Sequence, residues 1–294
     1  MGSIAIGDVS VTRVFEWSGD IATREQLIPS SNRPDWEAHK SLLVPDFWDP
    51  ATDNVKLCAQ TFVVKSGGRT ILIDTGIGND KDRLWFPTLH SQFLDALTKA
   101  GAAPEQVDLV VATHLHTDHV GWNTTLADGQ WLPTFPNATY LFPQEDFDHW
   151  NPEGHDEPPG GPAYSDAFKD SVIPVVHAGQ AQFVTGEHVI DGNVRLVPAP
   201  GHSPGSTVIE VASRGESALF TGDLVHSPMQ ILGHEHASCF DEDPAQAATS
   251  RDRVLRQAAE THAAVFTGHF NVDKAARIAR KGQRYILDSW TPLN

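Results

Sequence analysis

Cysteine is scarce in this chain of 294 residues: Cys58 and Cys239 are its two thiols, far apart and outside any C-x-x-C spacing. That scarcity excludes a disulfide framework and a thiolate metal site, and both cysteines are expected to stay reduced. Long apolar runs are missing as well. Nowhere do about 18 apolar residues follow one another, and the opening MGSIAIGDVSV has no basic stretch leading into an apolar one, so neither a membrane span nor an export signal is expected. Basic residues are outnumbered by acidic ones, 21 to 38, and the formal charge of -17 repels phosphate backbones and anionic lipid surfaces. The expectation is a cytoplasmic protein acting on a small molecule, with neither nucleic acid nor membrane as partner. Aromatic-rich loops would suit a homodimer contact.

What is present reads as globular throughout, with 40% hydrophobic and 20% charged residues and no low-complexity tract. Short β-branched runs at Val9–Glu16, Thr61–Lys65 and Thr70–Ile73 predict antiparallel strands, the last two split by Ser66-Gly67-Gly68. Residues 21–54 lack sustained periodicity and predict a long excursion with a short helix. Leu89, Phe93, Leu94 and Leu97 are spaced for a helix over Thr88–Ala100 that ends at Gly101. Leu109–Ala112 is an apolar run suited to a strand covered on both faces. Further strands are expected at Thr139–Phe142, Val194–Val197, Thr207–Val211, Ala218–Phe220 and Ala263–Phe266. A helical turn is expected at Gln144–Trp150 and a surface loop over Asn151–Pro162. Helices are predicted over Pro244–Thr261 and over Asp273–Leu287, the latter carrying Lys274, Arg277, Arg280, Lys281 and Arg284. Strand sets flanked by helices, with polar residues at the strand ends, imply an α/β sandwich with its site along one edge. No linker divides it, so residues 1–294 are expected to form one domain.

The strongest chemical signal is Thr113-His114-Leu115-His116-Thr117-Asp118-His119, directly after a buried strand. In extended chain, residues two apart point the same way, so His114 and His116 can address one metal ion. If the chain then turns into a helix, Asp118 and His119 come round beside them for a second ion. Three more strand-end residues share this chemistry: His202 in Pro200-Gly201-His202-Ser203-Pro204-Gly205, Asp223 in Thr221-Gly222-Asp223, and His269 in Thr267-Gly268-His269. Each sits beside a glycine, which lets backbone turn tightly against a site. Imidazole and carboxylate donors without thiolate suit two divalent ions, Zn2+ before Mn2+, Fe2+ or Co2+.

The pattern H-x-H-x-D-H, then a glycine-flanked His, an Asp and a last His, resembles the metallo-β-lactamase superfamily across nearly the whole chain. The resemblance implies an αββα sandwich with the metals at one edge of two sheets. It assigns His114, His116 and His202 to one ion, Asp118, His119 and His269 to the other, and Asp223 to the bridge between them. Asp74 in Asp74-Thr75-Gly76 would support the site without binding metal, although an ordinary turn residue would look the same. Catalysis would be hydrolytic, by a metal-bridging hydroxide that Asp118 orients and relieves of its proton. His226, three residues after Asp223, stands where lactonases of the family place a Tyr. It is read as an electrophile or leaving-group acid, against the plainer alternative of a hydrogen-bonded histidine near the pocket.

Within the superfamily, the Gly-His-Ser-Pro-Gly-Ser-Thr stretch and the Phe240-Asp241-Glu242-Asp243-Pro244 loop resemble the lactonase and methyl parathion hydrolase-like branch. That implies a small ester or lactone as substrate, with phosphotriesters as a side activity. Two alternatives within the fold are a mononuclear iron dioxygenase acting on persulfides, in which Asp118, His119 and His269 bind no metal, and a β-lactamase. Trp48, Trp85, Phe86 and Trp122 are candidates for an apolar substrate wall. His234 and His236 lack companion ligands and read as loop at the pocket rim.

Overall fold

A computed structural model describes residues 2–154 and 162–293. The first sheet contains β1 (Ser3–Ile6), β2 (Val9–Thr23), the short β3 (Trp48–Asp49), β4 (Asn54–Ser66), β5 (Arg69–Ile73), β6 (Leu109–Val111), β9 (Thr139–Pro143) and β10 (Ala181–Val184). Between β6 and β9 a separate hairpin pairs β7 (Thr124–Ala127) with β8 (Gln130–Pro133). The second sheet runs in sequence order: β11 (His188–Val189), β12 (Val194–Pro198), β13 (Thr207–Ser213), β14 (Glu216–Phe220), β15 (Ala264–Phe266), β16 (Lys274–Lys281) and β17 (Arg284–Pro292). Pairing is antiparallel except along β5-β6-β9-β10 and between β14 and β15.

Period-two alternation sorts the strand residues into layers. Phe62, Val64, Ile71, Ile73, Val111 and Leu141 point between the sheets to meet Ile209, Val211, Ala218, Phe220, Ala264 and Phe266. Their neighbours Val63, Leu72, Val110, Tyr140 and Phe142 face outward instead. There they are covered by α4 (Phe93–Lys99), α5 (Gln144–Trp150), α6 (Pro162–Ala167), the π-helical turn Phe168–Val172 and α7 (Ile173–His177). On the far side, Leu219 and Val265 pack under α8 (Met229–Leu232) and α9 (Pro244–Thr261), joined by α1 (Arg24–Leu27), α2 (Arg33–Ala38) and α3 (Lys40–Leu43). The order is helix, sheet, sheet, helix: an αββα sandwich. Among the described residues no helix is long and apolar enough to cross a membrane.

Several local expectations are corrected. The basic segment after Asp273 is the β16–β17 hairpin, not a helix, with Gly282 in left-handed conformation at its turn. Its cations recur every three or four residues because a bulge at Arg277/Ile278 interrupts the alternation, while Ala275, Ala276 and Ile278 are buried as sheet residues. The helix expected from Thr88 starts at Phe93. Residues 21–54 hold three short helices and β3, and β2 itself runs on to Thr23. No α-helix follows the His/Asp motif; the chain makes a tight turn and then a 3-10 turn at Gly121–Asn123. The loop expected over Asn151–Pro162 begins with a 3-10 turn at Pro152–Gly154, and its stretch 155–161 lies outside the described residues.

Candidate metal centre

Five segments leave the sheets at the same edge. Asp74 follows β5, the 113–119 segment follows β6, His202 follows β12, Asp223 follows β14 and His269 follows β15. The strand ends are locked to one another: Thr207 N donates to Thr113 O at 2.8 Å and Thr221 N to Phe266 O at 2.9 Å.

Two donor sets result. His114, His116, His202 and Asp223 each offer one ligand atom within 4.8 Å of the others, and so do Asp118, His119 and His269. Asp223 lies between the sets, with Oδ1 3.0 Å from His119 Nε2 and 2.9 Å from His269 Nε2. Its Oδ2 is 3.4 Å from His202 Nε2 and 3.7 Å from His114 Nε2. All of these side chains are buried except Asp118, which keeps slight exposure to the cleft. Gly268 makes this approach feasible, because a Cβ there would stand 2.9 Å from both Asp223 Oδ1 and His119 Cε1.

Four imidazoles are held from behind by the nitrogen that faces away. Thr113 Oγ1 lies 3.0 Å from His114 Nδ1, Asp74 Oδ2 2.8 Å from His119 Nδ1, Asp241 Oδ1 3.1 Å from His202 Nδ1, and the carbonyl of Cys58 2.8 Å from His269 Nδ1. These contacts fix ring orientation and leave Nε2 directed inward. The inward atoms are under-served: His114 Nε2, His116 Nε2, His119 Nε2 and Asp223 Oδ1 are buried without a hydrogen-bond partner. Buried polar atoms left so are costly unless something binds them, and nitrogen and oxygen donors converging on common points fit divalent cations.

Electrostatics divide the rings. Burial and the neighbouring imidazoles hold His114 and His116 well below the ordinary histidine range, so their lone pairs are free for a cation. Burial also acts against protonation of His119 and His269, but it is outweighed by Asp223 and Asp118, and at His119 by Asp74 as well, and both rings lie above that range.

Further residues complete the centre without having stood out in the sequence. Asp146, fully buried on α5, accepts from Leu115 N at 2.8 Å, Gly205 N at 2.5 Å and Ser203 Oγ at 3.0 Å, tying the two loops that carry the first donor set. Asp241 holds His202 and is itself met by the buried Arg251. Glu16, at a bulge in β2, accepts from Ile77 N, Gly78 N and Trp122 Nε1 at 2.7, 3.0 and 2.6 Å. Withdrawal from water pushes its carboxyl up to about 7 against these donors. Asp74 also accepts from Thr113 N and Oγ1, at 2.7 and 2.8 Å, so a single carboxylate positions both ends of the His/Asp motif. Asp74→Ala should therefore weaken divalent-metal binding about 10- to 100-fold in a chelator competition. Unchanged affinity would reduce Asp74 to a turn residue.

Above the donors lies a partly open cleft. Ile21, Leu57, Trp85, Phe86, Tyr164 and Phe240 wall it, and among the described residues no lysine or arginine lines it. Of the four aromatics expected there, Trp85 and Phe86 are present. Trp48 instead packs on Trp36 in the core, and Trp122 stacks on Phe93. His226 also lines the cleft, 3.3 Å from Asp223 Oδ2 and stacked on His269, and neither of its ring nitrogens has a hydrogen-bond partner. His234 and His236 lie away from it, the latter 3.0 Å from Ser30 Oγ. Both cysteines are free.

Residues 58–269 match the metallo-beta-lactamase superfamily. The chain belongs to that superfamily. It is 29% identical over 189 residues to mouse metallo-beta-lactamase domain-containing protein 1, spanning 63% of this chain and 55% of that protein. It thus covers little more than half of that relative's length. Among solved structures it resembles the hydrolase AbOPH, with a TM-score of 0.82 at 24% identity, covering 100% of this chain and 97% of the other. It likewise resembles AidC, a dizinc quorum-quenching lactonase, with a TM-score of 0.78 at 21% identity over 99% and 97% of the two chains. At these identities the structural likeness establishes the fold. The superfamily match, the converging donors and the cleft beside them mark one candidate metal-binding active site.

Proposed function

We propose that the protein hydrolyses a small, uncharged, largely apolar ester or lactone, and neutral phosphotriesters as a side activity. The observation that carries this reading is the join of two facing donor sets to a cleft walled by apolar side chains, with no lysine or arginine in its lining among the described residues. His114, His116 and His202 would hold one ion and Asp118, His119 and His269 the other, with Asp223 shared. Zinc suits this set of nitrogen and oxygen donors. Two such cations supply Lewis acidity to a carbonyl or phosphoryl oxygen and acidify water near neutral pH.

The chain's own groups do the rest. Asp118, the carboxylate with an open side toward the cleft, orients the attacking water and accepts its proton. His226 carries an uncharged ring, because burial outweighs the pull of Asp223 on its proton. It offers an N–H to the substrate oxygen or to the departing group. The apolar wall takes up the body of the substrate and keeps bulk water away from the reacting carbon. Among the described residues no lysine or arginine lines the cleft to pair with the carboxylate of a β-lactam, and a polyanionic nucleic acid would meet a chain of net charge -17.

The test combines metal analysis with a panel of aryl esters, lactones, phosphotriesters and a β-lactam. About two zinc ions per chain, fastest turnover of a neutral ester or lactone, and loss of that turnover on chelation are expected. One iron per chain with oxygen consumption on a persulfide, or turnover confined to the β-lactam, would overturn the reading.

A further inference from the structure

The cleft contains a hydroxyl that none of these roles uses. Tyr164 on α6 lines it, with its ring stacked on the buried Trp150 at 4.6 Å and 13° and edge-on to His116 at 4.8 Å. Two ring contacts fix the plane of the side chain against the first donor set, yet no hydrogen bond to its hydroxyl is found among the described residues. Apart from the metal-binding candidates and His226, the rest of the described lining comprises Ile21, Leu57, Trp85, Phe86, Phe240 and Thr117, of which Trp85 and Thr117 carry a polar side-chain atom. A phenol in such surroundings either fills space, as phenylalanine would, or donates to the molecule that occupies the cleft.

We propose that Tyr164 is a catalytic residue: its hydroxyl donates a hydrogen bond to the substrate oxygen on which negative charge grows as the acyl carbon becomes tetrahedral. The inference rests on the hydrolytic reading above and assigns to it a second donor, supplied by a helix that holds none of the metal-binding candidates. The tyrosine keeps its own proton, and no bond to it forms or breaks. A phenol, with an ordinary pKa of about 10, keeps its proton at the near-neutral pH of an ester-hydrolysis assay. A donor held in place beforehand stabilises a developing oxyanion more than a neutral carbonyl, so its effect falls on kcat rather than KM. His226 approaches from the β14 side of the cleft, where it stacks on His269, so the two donors reach the substrate from separate elements.

Anchorage supports a positioned hydroxyl. The helix bearing Tyr164 runs into the π-helical turn Phe168–Val172, whose Asp170 is gripped by Lys81 and by both terminal nitrogens of Arg83. Those cations belong to the same loop as Trp85 and Phe86.

The experiment uses zinc-loaded full-length Tyr164→Phe, which keeps the stack on Trp150 and removes one oxygen. Three readouts are zinc content, kinetics on phenyl acetate and a δ-lactone, and the affinity of phenyl methylphosphonate, an anionic tetrahedral mimic, by calorimetry. Expected are unchanged zinc, KM within about threefold, and kcat lower by about 10- to 100-fold, with the phosphonate bound roughly tenfold more weakly. Full kcat and phosphonate affinity with zinc retained would overturn the proposal, as would loss of zinc, which makes Tyr164 structural. A change in KM alone would reduce it to a wall residue, a result that Tyr164→Leu should then reproduce. If the wild type cleaves no ester or lactone, the hydrolytic reading fails on its own, and phosphonate affinity still reports on the hydroxyl.

Discussion

His116→Ala and Asp118→Ala should each lower kcat/KM for the best neutral ester by on the order of 1000-fold or more, with the fold intact by circular dichroism. The magnitude follows from what is withdrawn. A catalytic metal brings the pKa of water from 15.7 to about 7, and a site that no longer retains its ion in place forfeits that gain. The two variants should fail differently. His116 is buried among rings, with Nδ1 2.9 Å from His202 Nε2, so its removal opens the first donor set and should release zinc. Asp118 reaches the cleft edge, 3.8 Å from His119 Nε2 and 3.7 Å from His269 Nε2, and its loss removes both a ligand and the acceptor for the proton of water. Raising zinc concentration should partly restore His116→Ala and leave Asp118→Ala far below wild type. Full activity in either variant would refute the assignment of these residues.

The second large effect concerns stability. Asp170→Asn should destabilise the protein by about 3 to 5 kcal/mol, because it strands buried cations, and the melting temperature should fall by roughly 10 °C. Arg83 grips both Asp170 oxygens, at 2.7 and 2.8 Å, while Lys81 lies 3.3 Å from the same carboxylate and 3.7 Å above the ring of Trp131. Both cationic side chains are almost wholly buried, and one carboxylate serves two charges. Burial accordingly pulls Lys81 down to about 8. Between about pH 8 and the ordinary lysine value of 10.5 the unfolded chain binds more protons than the folded one, so this group makes stability rise with pH across that window. Lys81→Met, which leaves the Arg83 pair intact, should cost far less than Asp170→Asn and should flatten that rise. Denaturant unfolding of the three proteins at pH 7 and pH 9.5 reads both outcomes. Equal stabilities for wild type and Asp170→Asn would show that water reaches the cations.

Much of this was legible in the chain because the relevant signals are local. His114, His116, His202, Asp223 and His269 each stand at the end of an apolar strand, and the last three sit beside a glycine that a tight approach requires. Asp146 gave no such signal. It reads as an acidic residue in the first turn of a helix, and its partners Leu115 and Gly205 are 31 and 59 residues away. Asp241 was masked by its neighbours, since Asp243 in the same acidic loop caps α9 in the ordinary way while Asp241 turns inward to His202. Tyr164 lies beside a Pro- and Gly-dense stretch whose composition says loop and nothing of a cleft wall. The closing hairpin was misread because a bulge gave its cations a helical recurrence, and alternation was hidden by alanines short enough to pass for either period.

The centre also divides unevenly along the polypeptide. The first sheet supplies His114, His116, Asp118 and His119, and the second supplies His202, Asp223 and His269, so each candidate ion takes donors from both. An ion seated there acts as a rivet through the open edge of the sandwich, and prying the sheets apart requires withdrawing it. Resistance to mechanical or thermal opening at that edge thus becomes a gauge of occupancy, independent of any substrate.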